Sequence, residues 1–80
     1  MVLYILGFGS AHNALKAESI LKAASVRFRL LPAPKALEAY CGLVIEIDEG
    51  LLDLAMAALA ASGLHPRSRY RKEGDDYVKV

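Results

Sequence analysis

Short runs of strand-forming residues alternate with helix patterns in the order β-α-β-β-α-β, and this order limits the folds open to the chain more than any other feature. The first run, Val2-Leu3-Tyr4-Ile5-Leu6, is rich in β-formers and closes on Gly7-Phe8-Gly9. Its length and the glycines predict a buried strand rather than a helix. Ser10 stands at an N-cap position, where its oxygen accepts a backbone N–H of the following turn. Residues 11–24 are helix formers, with Ala14, Ala17, Leu21 and Ala24 on one face, Leu15 and Ile20 at its edges, and Lys16, Ser19 and Lys22 toward water. Val26-Arg27-Phe28-Arg29-Leu30 alternates with period two and predicts a half-exposed strand. Pro32 and Pro34 stop it, because proline has no N–H for the ladder. Residues 32–42 read as a loop with a turn of helix at 35–40. Leu43-Val44-Ile45-Glu46-Ile47 is the most strand-like segment and is expected mid-sheet. Asp48 caps a second helix reaching to about Ser62, and Gly63 supplies the left-handed position after it. Beyond Pro66 a strand is expected at residues 67–72, with Glu73-Gly74-Asp75-Asp76 turning the chain back into residues 77–80.

Right-handed crossovers fold this order into a ferredoxin-like βαββαβ sandwich: α+β, with an antiparallel four-stranded sheet, both helices on one face and an optional extra C-terminal strand. Eighty residues suit a single domain over 1–80, with its core in about 2–72 and a turn and terminal strand or tail in 73–80. Hydrophobic residues make up 55% and charged residues 24%, a balance that supports a packed core. Ten basic residues against nine acidic leave a formal charge of +1, too even for a general nucleic-acid or membrane-surface binder. One cysteine excludes an internal disulfide, and with two histidines it argues against a metal site; no cofactor is called for. No apolar stretch reaches the roughly 18 residues needed to span a bilayer, and the N-terminus lacks the basic flank of a signal peptide. The expected location is the cytoplasm.

In this topology Ser10, His12, the loop before Gly42, Cys41 and His65 meet at one edge of the sheet. Cys41 is the only thiol, lies in a loop and precedes Gly42. Beside the N-terminus of the first helix, free N–H groups and the positive dipole end would stabilise its thiolate. Gly42 would let a partner sulfur come close. A lone cysteine also serves as a small apolar packing group, and both readings stand. His12, in the first helical turn, either manages the thiol proton or bonds water at the surface. Ser10 is first of all the cap. Lys35 adds positive charge near the sulfur or simply sits solvated. Gly7-Phe8-Gly9 before a helix invites a phosphate-binding reading, but the third glycine of the fingerprint would fall at His12 and no acidic partner follows at the usual distance. Nucleic-acid recognition on such a sheet needs aromatics on its central strands, where only Tyr4 stands. The basic segment 67–72 reads as a solvated edge strand, its charges offset by Glu73, Asp75 and Asp76. The second helix is apolar nearly all round, so Leu51, Leu54 and Ala58 are expected to line a contact with a second copy or a partner.

Three stretches together resemble the selenium/sulfur carrier-like small domains: Ser10-x-His12-x-Ala14-Leu15-x-Ala17-Glu18-x-x-Leu21-Lys22, Leu31-Pro32-x-Pro34-Lys35-x-Leu37 and Cys41-Gly42-Leu43. The resemblance covers residues 3 to about 62 and leaves the basic segment from Arg67 outside. It implies a carrier of persulfide or perselenide centred on Cys41, with a sulfur or selenium donor or acceptor protein as partner, rather than a turnover enzyme. The family's usual glycine after the first helix is Ser25 here, its commoner arginine is Lys35, and the small residues before its cysteine are Glu38-Ala39-Tyr40. From another class stands a module that senses a small anion or binds a protein at the same edge, with Cys41 as packing.

Overall fold

The computed structural model describes residues 2–34, 37 and 42–80. The elements are β1 (Leu3–Gly7), α1 (Ala11–Ala23), β2 (Arg29–Pro32), β3 (Leu43–Asp48), a 3-10 turn (Glu49–Leu51), α2 (Leu52–Ala61), β4 (Ser68–Glu73) and β5 (Asp76–Lys79). The strands form one five-stranded sheet in the order β2-β3-β1-β4-β5, and every neighbouring pair is antiparallel. The fold is α+β with two helices. β1 is the middle strand, which suits its apolar composition, and β3 lies inside the sheet as its sequence demands.

Alternation along the strands gives the sheet two different faces. Leu6 of β1 with Ile45 and Ile47 of β3 packs into one buried cluster with Ala14, Ala17 and Leu21 of α1 and Ala55 and Leu59 of α2. Small alanines on α1 let that helix approach the sheet closely. The other face carries a smaller cluster of Ile5, Val44 and Leu37, with Leu31, Ala33, Tyr70 and Tyr77 packed against it. Register sets Arg29, Glu46 and Ile5 side by side on that face. Glu46 is buried there, and its Oε1 accepts a hydrogen bond from Nη1 of Arg29 at 3.3 Å. A carboxylate is tolerated mid-sheet because its cationic partner stands on the next strand.

Both helices end in the same way. Val26 N–H donates to the Leu21 carbonyl and Ser25 N–H to that of Lys22; Leu64 N–H donates to Leu59 and Gly63 N–H to Ala60. These are paired Schellman closures, each needing a left-handed residue just past the helix. At α2 it is the expected Gly63, with φ 75; at α1 it is Ser25, with φ 58. A side chain costs roughly 1–2 kcal/mol in that region, partly offset by the smaller entropy that a non-glycine residue loses on folding. Ser25→Gly is therefore expected to stabilise the protein by about 0.5–1 kcal/mol, read as a higher urea midpoint with an unchanged slope.

The structure corrects several expectations. The second strand begins at Arg29 rather than Val26 and runs to Pro32. Val26 is instead buried in the main core, its N–H spent on closing α1. Pro32 closes an edge strand opposite Leu43, where a missing N–H costs little. Ala24 is the exposed C-cap of α1 rather than part of its buried face. Asp48 caps the 3-10 turn, accepting from Gly50 N–H at 2.8 Å, and the α-helix proper starts at Leu52. β4 is not the edge: it pairs with β1 on one side and on the other with β5, the optional C-terminal strand, which brings the sheet to five strands. Of the residues expected to line an oligomer contact, Leu51 and Ala58 pack against the protein's own core, and only Leu54, 61% exposed, faces out. The turn of helix expected at residues 35–40 lies outside the described residues except for Leu37, which is buried on the second cluster.

Candidate functional site at one end of the sheet

Register brings three connections to the same end of the sheet. β1 finishes at Gly7, opposite Val44 near the start of β3 and Ser68 at the start of β4, while β2 finishes at Pro32 opposite Leu43. The link into α1, the loop between β2 and β3, and the link from α2 to β4 therefore all leave from this end. Ala33 N–H donates to the Gly42 carbonyl at 2.8 Å and closes the neck of the loop. Gly42 itself has φ 73 and is exposed.

Ser10 caps α1: its extended backbone starts the helix, and its Oγ accepts from Asn13 N–H at 3.1 Å. The Ser10 carbonyl accepts from Ala14 N–H, which leaves the N–H groups of Ala11 and His12 without a partner among the described residues. No acidic residue sits in the first turn to offset the positive end of the helix. The Ser10 hydroxyl proton is left over by the capping bond, because the oxygen acts there only as acceptor. His12 is exposed in the same turn, and His65 is exposed in the link before β4. Cys41 and Lys35 lie outside the described residues.

One residue here carries a role that the sequence reading missed. Arg67 N–H donates to the Gly7 carbonyl at 2.7 Å, extending the β1–β4 ladder to the end of the sheet. Its side chain lies across Gly9, where a methyl group would run into Cδ and stand 3.1 Å from Nη1. Gly9, at φ 80, gives the room for that approach. A guanidinium thus sits beside the entry to α1. The signal was the hairpin: once Gly74 turns β5 back, the basic strand moves inside the sheet and Arg67, the residue before it, meets β1. Arg71, further along β4, is differently placed, since the Glu73 carboxylate hydrogen-bonds its guanidinium and holds its pKa above the usual value.

Among the described residues no cluster of His, Cys, Asp or Glu would hold a metal ion, and no helix is long and apolar enough to cross a membrane. The arrangement is that of a small α+β protein with a capped helix terminus and several connections gathered at one end of the sheet. Over residues 3–71 the chain matches the family described as "Putative Se/S carrier protein-like", and it belongs to that family. The match runs past the span expected from sequence and takes in Arg67 to Arg71. No curated protein and no solved structure matches the chain.

Proposed function

We propose that the protein carries sulfur, or the equivalent selenium, on Cys41 as a persulfide or perselenide. The observation that carries this reading is family membership combined with chain order: the sole cysteine precedes Gly42, which leads into β3 at the sheet end where α1 begins. The strand order and the shared core of both helices support a ferredoxin-like arrangement, with β5 added outside β4. In that arrangement the N-terminus of α1 is the natural neighbour of the loop before Gly42.

Loading begins when the Cys41 thiolate attacks the outer sulfur of a donor persulfide. The donor S–S bond breaks, the donor leaves as a thiolate, and Cys41 holds the transferred atom as Cys–S–SH. No external oxidant is needed, because the atom moves at its existing oxidation level. Unloading is the same displacement by an acceptor nucleophile, with Cys41 leaving as thiolate. The free N–H groups of Ala11 and His12 and the hydroxyl proton of Ser10 stabilise the anionic states, His12 takes and returns the thiol proton, and Lys35 adds positive charge. Gly42 leaves space for the incoming sulfur. A single cysteine suits this task, since a carrier passes its cargo on and has no need of a resolving thiol.

The test is intact mass after incubation with cysteine and a cysteine desulfurase, and with selenocysteine and its lyase. The expected result is a gain of one sulfur or selenium atom, lost on reduction and absent in Cys41→Ser. Protein that gains no mass from either donor contradicts the reading.

A further inference from the structure

A groove of about 230 Å³ runs between α2 and the β4–β5 hairpin, walled by Met56, Ser68 and Val80 and lined by Arg67, Arg69 and Lys79. No carboxylate side chain lines it. Elsewhere Lys22, Arg29 and Arg71 are paired with Glu18, Glu46 and Glu73, while Lys16, Arg27 and Lys72 stand singly among the described residues. Arg67, Arg69 and Lys79 are in no ion pair among the described residues. Register pairs Lys79 with Tyr70 and turns its side chain to the other face of the sheet, so the cations on the α2 side of the groove are Arg67 and Arg69. On a chain of formal charge +1, two unpaired guanidinium groups side by side there are a local excess that suits an anionic occupant.

We propose that this groove docks an acidic segment of a protein partner, its carboxylates paired with Arg67 and Arg69. The chemistry selects that occupant. The groove is smaller than the roughly 300–1,000 Å³ of sites that enclose a small molecule, and it suits a chain laid along it. No aromatic side chain lines it, so it offers nothing on which a base would stack. Guanidinium groups pair with carboxylates in two-pronged fashion, and both cations are arginines. Arg67 belongs both to the groove and to the entry of α1, where it lies across Gly9. That shared residue assigns the docked protein to the partner that exchanges cargo with Cys41, a part of the inference that rests on the carrier reading.

The test is fluorescence anisotropy with a dye-labelled oligoglutamate peptide at low salt. Saturable binding is expected, weakening as salt rises and about tenfold weaker in R67E/R69E. K72E, on the opposite face of β4, and Cys41→Ser are expected to bind as the parent does. Circular dichroism checks the fold of R67E/R69E; should it fail to fold, R69E alone is expected to weaken binding about threefold. Absent binding, equal loss in K72E, or tighter binding of an oligouridylate than of oligoglutamate overturns the groove proposal. With a desulfurase as donor, excess oligoglutamate is expected to slow loading of Cys41 while leaving loading from a small alkyl persulfide unchanged. Slowing of both or of neither overturns the assignment to the exchange partner. Because anisotropy does not involve the thiol, peptide binding without any Cys41 adduct would sink the carrier reading and leave the groove standing.

Discussion

Leu6→Ala is expected to destabilise the protein by about 3–4 kcal/mol, the range for an alanine left where a fully buried leucine stood. Leu6 has no exposed surface and lies on the middle strand, in the cluster where both helices meet the sheet. Neighbours on either side are tied by β ladders and cannot collapse into the space. A chain of 80 residues has roughly 4–12 kcal/mol of stability in all, so the loss is a large share of it. For a domain of this size it corresponds to a fall in melting temperature of about 20 °C. Leu54→Ala is the matched control: that leucine is 61% exposed on α2, and its loss is expected to change stability by less than about 0.5 kcal/mol. Thermal or urea unfolding of the two variants against the parent decides the matter. Comparable losses would mean that Leu54 is covered in solution, as self-association through α2 would require.

Much of this architecture was legible because local signals and tertiary packing agree. Ser10 capping α1, the glycine-bounded β1 and Gly63 closing α2 each follow from the backbone chemistry of the residue concerned. The hairpin at Gly74-Asp75 follows in the same way: glycine at the first turn position takes the φ of 60 that a two-residue connection requires. What escaped were features set by distant partners. The alternation from Val26 placed its apolar residues inward correctly, but Val26 closes a helix instead of opening a strand. Leu51 and Ala58 read as an outer stripe because α2 has little polar residue content to mark its exposed side, and only packing identifies the face that is buried. Glu46 looks anomalous in an apolar run until register places Arg29 beside it. At the end of the sheet that holds the candidate site, the capped helix and its N–H groups were readable from Ser10, whereas Arg67 required the β1–β4 register and the bare Cα of Gly9.

A carrier role for Cys41 requires the fold to activate its thiol, and the pH dependence of its alkylation reads that activation. The thiolate is the reacting form, so the rate rises with pH and levels off above the thiol pKa. The free N–H groups and positive end of α1 would lower that pKa by stabilising the charged form. Native protein is expected to react with an apparent pKa below the roughly 8.5 of an ordinary thiol, reaching its plateau near neutral pH, while protein unfolded in denaturant returns to the ordinary value. Labelling of Cys41 that starts only on unfolding, or an unshifted profile in the native protein, would mean that the fold does not activate the thiol.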